Sequence, residues 1–454
     1  MRTINNSHHR IIVLLLILVV GSVKGQTLTK QEAVRLTLEN NLGIKITTNT
    51  IEIAKNNQSI LNSGYLPSLT GDAAANYQLS NTTTSFPGVI DPDTGETQPD
   101  RRIEDAETQR YSAGLNLNYL LFDGLGRYYN YKRLKEQYNL SSLQAREVIE
   151  NTILQLFSVY YEVARLSENE AILEETLAIS QERVQRSQYQ FEYGQNNKLA
   201  VLNAKVDVAN DSINLLNVKQ SVINAKRDLN VILNSASLEQ MIVVDTVVAF
   251  LPKLQLDTYL EQATENNVLL LQNRSNLAIN SFDIKINKAG FLPSIGLNGS
   301  YGWNQNRSPA SAFFPGNLSN TATLGAGINL SWNLFDGGRT ITQVKNSKIL
   351  FDNQELVREQ LELEVQRDIA NAFGDYRNRL NIYKIQQQNV LTSENNFQRS
   401  EERFKLGQIT SIEFRQAQIN LINAKTNKNQ AKYAAKLAEL QLLQLTGQLL
   451  NIQF

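Results

Sequence analysis

The chain has 454 residues, and its 44 Lys and Arg residues balance its 44 Asp and Glu residues. A net charge of zero gives no electrostatic reason to expect nucleic acid as a partner. The chain has no cysteine, and both of its histidines, His8 and His9, lie near the amino terminus. Thiol nucleophiles, Ser-His-Asp triads and zinc sites built from these ligands are therefore excluded from the rest of the chain. We expect no enzyme, no cofactor and no metal site.

Residues 1–25 have the composition of a secretory signal peptide. A basic start is followed by an apolar run at 11–20 and by small residues before Gln26. The apolar run is too short to cross a membrane as a helix. We therefore expect cleavage near Gly25 and export of the mature chain.

The chain contains one sequence pattern twice. LNLNYLLFDG at 115–124 returns as INLSWNLFDG at 328–337, and GYLPSL at 64–69 returns as GFLPSI at 290–295. This duplication indicates two copies of one strand–strand–long-helix unit. The predicted parts are a signal peptide at 1–25, a first repeat at 26–234, an inter-repeat equatorial segment at 235–253, a second repeat at 254–446 and a tail at 447–454.

Each repeat contains two segments in which apolar residues alternate with small or polar ones. The four segments lie at 69–79, 111–121, 294–303 and 324–334. Tyr and Trp occur among the apolar positions, while Asn, Ser and Gly occupy the opposite face, which is typical of transmembrane β-strands. A half-buried strand of a soluble β domain alternates in the same way and is the alternative interpretation. The connections at 80–110 and 304–323 are predicted to be exposed loops.

Most of the remaining chain is predicted to be helical. Two stretches without internal proline, at 127–193 and 339–406, would each form a helix about 100 Å long. Asp123 and Asp336 of the LFDG segments precede these helices and are predicted to cap them. Shorter helices, each roughly half as long, are predicted at 30–63, 198–233, 254–289 and 411–446.

A seven-residue spacing runs along both long helices. The column comprises Ile149, Leu156, Val163, Glu170, Leu177, Val184 and Phe191 in the first repeat, and Glu362, Ile369, Tyr376, Tyr383, Val390, Phe397 and Phe404 in the second. A sustained heptad of this kind supercoils a helix against its neighbours. We therefore predict that the same column packs in both repeats.

Four strands cannot close a barrel, and open strand edges are not tolerated in hydrocarbon. Single-chain bacterial barrels begin at eight strands, so several copies must share one barrel. Two copies would supply eight strands and three would supply twelve, and the residue pattern leaves this number open. The predicted fold class is α+β and mostly α, with a long coiled-coil helical barrel joined to a transmembrane β-barrel that oligomerisation completes. The alternative is a periplasmic coiled-coil spacer or adaptor with a soluble β domain.

The repeated motifs resemble the TolC family of outer membrane efflux proteins. The resemblance rests on GYLPSL and GFLPSI, on both LFDG segments, and on the turns FEYGQNNKLAVLNA at 191–204 and FKLGQITSIEFRQAQ at 404–418. It covers essentially the whole mature chain. It implies a homotrimer in the cell outer membrane, with a twelve-stranded barrel in contact with lipid and a helical tunnel in the periplasm. It also implies a passive exit duct of a tripartite efflux or type I secretion system, with a periplasmic adaptor (membrane fusion) protein and an inner-membrane pump as partners.

Two glycines end the long helices, each followed by a glutamine. Gly194 and Gly407 would supply the left-handed backbone conformation that a helix end requires. The resemblance implies that these turns, Gly194–Gln195 and Gly407–Gln408, form the periplasmic tip at which the adaptor docks.

Glu413, Gln416 and Phe404 are the candidates for a lumenal constriction that the resemblance implies. A ring of Glu413 carboxylates from several copies would attract cations. The spacing of Thr410 and Glu413 is also that of a helix capping box, which would explain the carboxylate without a transport role. Phe404 continues the heptad column, and packing is the alternative role for its ring.

Overall fold

A computed structural model describes residues 27–252, 255–310 and 315–452, so the predicted signal peptide lies outside the described residues. The chain divides into two compact units. The helical unit comprises the described parts of Met1–Glu52, Ser141–Arg274 and Leu356–Phe454, and the sheet unit comprises those of Ile53–Leu140 and Ser275–Glu355.

The described elements follow one order twice: two short helices, two strands, one long helix and one helix of intermediate length. In chain order they are β1 (Thr27–Leu28), α1 (Lys30–Asn40), α2 (Leu42–Asn57), β2 (Ser68–Thr84), β3 (Arg101–Phe122), α3 (Gly126–Glu192), α4 (Lys198–Leu233), β4 (Val243–Val244), α5 (Leu256–Asn266), α6 (Val268–Ala289), β5 (Ser294–Ser308), β6 (Asn317–Ser331), α7 (Arg339–Lys405) and α8 (Ser411–Leu445). No helix in the described part of the chain is long and apolar enough to span a membrane.

The sheet unit contains one four-stranded antiparallel sheet in the order β2-β3-β5-β6. Leu115 of β3 lies opposite Tyr301 of β5, which lies opposite Leu324 of β6. Because side chains alternate across a strand, the apolar positions of all four strands share one face, and these large side chains are exposed. The opposite face carries polar pairs such as Asn116 with Ser300. The predicted alternation is confirmed.

The strands extend beyond the predicted segments. Thr82–Thr84 of β2 still pair with residues 101–103 of β3, and β5 pairs with β6 as far as Ser308. The predicted loops at 80–110 and 304–323 were therefore too long. Backbone hydrogen bonding continues through polar residues, so the loss of hydrophobic alternation did not mark the ends of the strands. At its other end β6 stops at Ser331, earlier than predicted.

The two predicted helices at 30–63 and 254–289 each break at an asparagine. Oδ1 of Asn41 accepts hydrogen bonds from the backbone N–H groups of Gly43 and Ile44, so it caps α2. Its Nδ2 donates to the carbonyl oxygen of Ile232, 2.9 Å away. Asn267 caps α6 in the same way and donates to the carbonyl of Leu445 at 2.7 Å. Each asparagine caps the helix that follows it and also binds the end of a more distant helix. It therefore divides into two helices a segment that periodicity predicted to be one.

The inter-repeat segment is held on the helical unit by polar contacts. β1 and β4 pair in parallel, and the hydroxyl of Tyr160 bridges them. It donates to the carbonyl of Leu28 at 2.6 Å and accepts from the backbone N–H of Asp245 at 2.9 Å. Further along, Lys436 donates to the carbonyl of Ala249, 2.8 Å away. Phe157, Tyr160 and their apolar neighbours form the core of the helical unit beside this segment.

The predicted aspartate caps of the long helices are confirmed. Oδ2 of Asp123 accepts from the backbone N–H of Arg127 at 2.8 Å, and Oδ2 of Asp336 accepts from that of Thr340 at 2.9 Å. These bonds satisfy amide donors that the first turn of a helix leaves without partners.

In each repeat, only part of the heptad column is buried. In α7 it is buried at Ile369, Tyr376 and again from Val390 to Phe404. In α3 it is buried at Leu156 and Val163 but becomes more exposed to solvent toward the end of the helix. There a polar column takes its place, because the neighbouring helices present charged partners. The last third of α3 therefore departs from the predicted packing of this column, while the matching part of α7 follows it.

Candidate functional site at the tips of the long helices

Both long helices end in the same turn. Gly194 and Gly407 each have a φ of +72°. In the first turn Gly194 N–H donates to the carbonyl of Phe191, and Gln195 N–H donates to that of Gln190. Gly407 and Gln408 repeat both bonds. This pair of bonds is the Schellman motif, which needs a residue in the left-handed conformation at the glycine position.

An exposed apolar residue precedes each glycine. Tyr193 is 80% exposed and Leu406, its counterpart in the second repeat, is 72% exposed. Gln195 and Gln408 on the other side of the glycines are exposed as well. Each turn therefore presents an apolar and an amide side chain side by side. Sequence reasoning identified the glycines and glutamines but not these apolar neighbours.

The helices that follow the two turns begin differently. Asn197 caps α4 with one side-chain hydrogen bond, to the N–H of Ala200 at 3.0 Å. Thr410 caps α8 in a full capping box: its hydroxyl accepts from Glu413 N–H, and the Glu413 carboxylate accepts from Thr410 N–H at 2.8 Å. These hydrogen bonds lower the pKa of Glu413. The predicted capping role of Glu413 is thus confirmed, and its exposed carboxylate stays ionised.

Phe404 lies inside an apolar cluster rather than on the surface. Its ring is 7% exposed and stacks on Phe414 with ring centres 4.8 Å apart. We call this the apolar cluster: Phe397 and Phe404 of α7 with Phe414, Ala417 and Leu421 of α8. This position agrees with the packing role of Phe404.

A groove of about 490 Å³ lies between the first turns of α4 and α8. Leu199, Ile412 and Gln416 line it, so Gln416 lies on the groove rather than beside the apolar cluster. Asp207 and Arg415, which belong to the polar contacts described next, also line it. An object placed in the groove would therefore contact those polar groups.

Buried polar side chains connect three helices behind this groove. Asp211 is 3% exposed and accepts two hydrogen bonds from the guanidinium of Arg415, at 2.6 and 2.8 Å. Ser180 donates to the same carboxylate at 2.6 Å. We call the whole set the polar seam: Asn169, Thr176, Ser180 and Arg183 of α3, Asp207 and Asp211 of α4, and Arg415, Gln418 and Asn429 of α8.

The polar seam holds two cations and two carboxylates, so its charges cancel. Arg183 forms an ion pair with Asp207 and is almost fully buried. Burial lowers the pKa of Arg183, because the charged form loses hydration. Among the described residues its Nε and Nη1 have no hydrogen-bond partner. The seam is therefore electrically balanced but not fully hydrogen-bonded, and such networks contribute less to stability than a packed apolar core.

Sequence reasoning missed the polar seam. A signal was present: positions 169, 176, 180, 183 and 187 have the spacing of a coiled-coil core but carry Asn, Thr, Ser, Arg and Ser. Polar residues in core positions of a heptad indicate a specific partner rather than a solvated face. The partners lie on α4 and α8, far away in sequence, so only the folded chain identifies them.

The duplicated helix–strand pattern, the four-stranded sheet with an exposed apolar face and the paired helix tips are the features that the sequence predicts for an outer membrane protein. The family model described as outer membrane efflux protein matches residues 33–235 and 259–448. The chain therefore belongs to the outer membrane efflux protein family. This result confirms the predicted family, fold class and outer membrane location.

Relatives from several bacteria match the chain. The outer membrane efflux protein BepC of Brucella suis is 23% identical over 94% of this chain and 89% of BepC. The outer membrane protein TolC of Vibrio cholerae is 26% identical, over 42% of this chain and 44% of that protein. The CmeC outer membrane channel of Campylobacter jejuni has the same fold, with a TM-score of 0.70, 18% identity, and coverage of 92% of this chain and 86% of CmeC.

Proposed function

We propose that this protein is the passive exit duct of a tripartite efflux or type I secretion system. The observation that carries the proposal is the sheet: each chain supplies four strands, and β2 and β6 each have a partner on one side only within the described sheet. Three copies would bring twelve strands to one barrel, with the apolar faces toward lipid and the polar faces toward water. The duct has no catalytic step, and the inner-membrane pump supplies the energy.

Assembly and conduction test this proposal together. Protein purified in detergent should have the mass of a trimer and should conduct ions after insertion into planar bilayers. A stable protomer that conducts no ions would overturn the proposal. Extraction with alkaline carbonate is the complementary test, because a periplasmic spacer would be washed from the membrane and a barrel would not.

The tip turns are the proposed docking site for a periplasmic adaptor. Tyr193 and Leu406 give each turn an exposed apolar residue beside an exposed glutamine. Exposed apolar residues with adjacent amide groups are typical of a surface that a protein partner covers. The groove between α4 and α8 lies next to both turns and could receive a side chain or a helix end of the adaptor.

The absence of cysteine from the chain makes crosslinking of the tip specific. Gln195→Cys and Gln408→Cys each introduce a single thiol at a turn, and a thiol-specific crosslinker should join them to one envelope protein in cells. Asn57→Cys, which is exposed in the sheet unit, is the matched control. Identical products from the control and the tip variants would contradict docking at the tip.

The polar seam is the proposed point of movement when the tip opens. Separation of the apolar cluster would expose aromatic surface to water, which is unfavourable in proportion to its area. Separation of the polar seam would instead expose charged groups, which water solvates. A partner in the groove would contact Asp207 and Arg415 directly, so docking could disturb the seam. Opening of this kind is a shift between two packed arrangements of helices.

Glu413 is the proposed source of cation selectivity at the tip. Three exposed carboxylates, one from each copy, would attract cations if they face the lumen. Glu413→Gln removes the charge and keeps a side chain that can complete a capping box. We expect this variant to reduce the preference for cations in planar bilayers, whereas Glu402→Gln, an exposed acid on α7, should not. An unchanged preference in Glu413→Gln would leave only the capping role.

A further inference from the structure

Basic residues are concentrated where the strands of the sheet unit meet the helices. We call this region the junction: residues 53–67, 123–140, 275–293 and 332–355. It carries 10 Lys and Arg residues against 6 Asp and Glu residues, a net charge of +4. The opposite end of the sheet, at 80–110 and 304–323, carries 4 basic against 7 acidic residues, a net charge of −3. A chain with no net charge therefore has a strong charge difference between the two ends of its sheet.

Three of the six acidic residues of the junction are engaged by an arginine or by a helix end. Asp123 binds Arg127 at 3.2 Å, and Asp283 binds Arg133 at 2.9 Å. Asp336 caps α7. Six exposed lysines of the junction form no ion pair with the described residues: Lys132 and Lys135 of α3, Lys285 and Lys288 of α6, and Lys345 and Lys348 of α7. The four on α3 and α6 lie on the two helices that the Arg133–Asp283 ion pair joins.

Three of these lysines lie over tyrosine rings. Nζ of Lys132 is 4.7 Å from the ring centre of Tyr128, and Nζ of Lys135 is 4.5 Å from that of Tyr131. Lys285 lies 5.4 Å from the ring of Tyr129. A ring beneath an ammonium group orients the cation without neutralising it, so the positive charge remains available to an external anion.

The junction also carries exposed apolar side chains. Trp332, Leu334 and Phe335 are exposed where β6 leads into α7, and the indole N–H of Trp332 donates to the carbonyl of Phe291. Aromatic residues interleaved with lysines are typical of the boundary between the hydrocarbon of a membrane and water. The junction is also continuous along the chain with the apolar face of the sheet.

We propose that Lys132, Lys135, Lys285 and Lys288 form a binding surface for the anionic headgroups of phospholipids in the leaflet that borders the helices. The lysine ammonium groups bind the phosphodiester oxygens, and the exposed aromatic and leucine side chains of the junction contact the upper part of the acyl chains. Membrane phospholipid is the occupant, because free phosphate would leave the exposed apolar residues without a partner. The proposal rests on the outer membrane location of the family and not on the exit-duct function.

Lipid retention by the full-length protein tests the proposal. The protein is reconstituted in bilayers of phosphatidylglycerol and phosphatidylcholine in equal amounts and with the same acyl chains. After gentle extraction, native mass spectrometry counts the lipids of each kind that remain bound. We expect phosphatidylglycerol to be enriched at low salt and the enrichment to fall as salt screens the charges. The variant K132Q/K135Q/K285Q/K288Q should reduce the enrichment at least about tenfold, because each basic residue near an anionic leaflet adds to the attraction.

A matched variant distinguishes the effect of the junction lysines from the effect of the protein's total charge. K45Q/K198Q/K205Q/K384Q also removes four exposed lysines, none of them in the junction, and should retain the enrichment of the unmodified protein. Equal loss in both variants, or no loss in the junction variant, overturns the proposal. If the junction variant fails to assemble, the unmodified protein provides the test. A lack of phosphatidylglycerol enrichment on that protein at low salt would overturn the proposal without any mutation. Channel conductance of the same preparations shows independently whether the duct function holds.

Discussion

The two repeats place the same heptad column on their long helices but pack the last third of these helices in opposite ways. In the second repeat Phe397 and Phe404 are buried in the apolar cluster. In the first repeat Phe191 is 39% exposed, and Arg183 is buried in the polar seam instead. A heptad column thus marks a face that can be buried. Whether it is buried depends on the side chains that the neighbouring helices offer.

The neighbouring helices differ at equivalent positions. Asp211 of α4 corresponds to Ala424 of α8, and both are buried. A buried carboxylate requires a cation beside it, because burial of an unpaired charge is very unfavourable. The pairing with Arg415 therefore draws α4 and α8 together through charge, whereas Ala424 permits close apolar packing. Substitutions at equivalent positions of the two repeats test this difference.

The largest expected difference is between the two phenylalanines that end the heptad columns. Phe404→Ala should reduce the free energy of unfolding by about 3–5 kcal/mol, because it leaves a cavity in the apolar cluster. Phe191→Ala should cost less than about 1 kcal/mol, since much of the ring is exposed. Denaturant unfolding of the detergent-solubilised protein, followed by circular dichroism, measures both. Equal losses would mean that the repeats pack alike after all.

A smaller difference is expected between the glycines of the two LFDG segments. Gly124 and Gly337 have φ values of +69° and +71°. Alanine in this conformation costs about 1 kcal/mol at either position. A Cβ on Gly124 would also lie 2.6 Å from the carbonyl oxygen of Ala289, whereas none of the described atoms lies within 4 Å at Gly337. This overlap should add about 1–3 kcal/mol at Gly124.

The same unfolding measurement compares the two glycine variants. Gly124→Ala should be the less stable variant, and its yield of assembled protein should be lower. A greater loss in Gly337→Ala would show that the strand–helix turn of the second repeat is the more constrained of the two.

Asp211→Asn tests the polar seam and should cost about 2 kcal/mol. The amide keeps the shape of the side chain but weakens two charge-assisted hydrogen bonds from Arg415. Because the seam is the proposed point of movement, the variant should also increase the fraction of time that the channel is open in planar bilayers. Asp228→Asn, an exposed position on the same helix, is the control and should change neither quantity. A destabilised variant whose channel is open for an unchanged fraction of time would show that the seam stabilises the fold but does not control opening.

The smallest effects are expected at the equivalent helix caps Asn197 and Thr410. Replacement of either by Ala should cost about 1 kcal/mol. The caps should differ in their dependence on pH, because only the second includes a carboxylate. The lowered pKa of Glu413 means that its contribution is present above the ordinary pKa of a glutamate and is lost as pH falls through the lowered value.

Glu413→Ala should therefore destabilise the protein at neutral pH and have progressively less effect in acid. Thermal unfolding at a series of pH values checks this, with Asn197→Ala as the reference that should show no such trend. A constant effect of Glu413→Ala across the series would mean that the carboxylate does not act through the cap.

Local chemistry made much of the fold predictable. The duplicated motifs, the alternation of the strands and the glycine at each tip depend on residues that are close in sequence, and the structure agrees with them. The breaks at Asn41 and Asn267 were not predictable from periodicity, because each asparagine also binds a carbonyl of a helix about 180 to 190 residues away. The tip glycines and the cap at Glu413 were readable from sequence, but the exposed partners Tyr193 and Leu406 were not.

The kind of molecule follows from the amino-acid sequence alone: it is a duplicated, cysteine-free chain with four amphipathic strands and two long helices. These features depend on periodicity and on backbone preferences, which act over a few residues. The folded chain was needed to establish which face of α3 is buried, how Asp211 is neutralised and which tyrosine rings lie under the lysines of the junction. Those outcomes depend on charges and shapes that meet across hundreds of residues, and no local pattern contains that information.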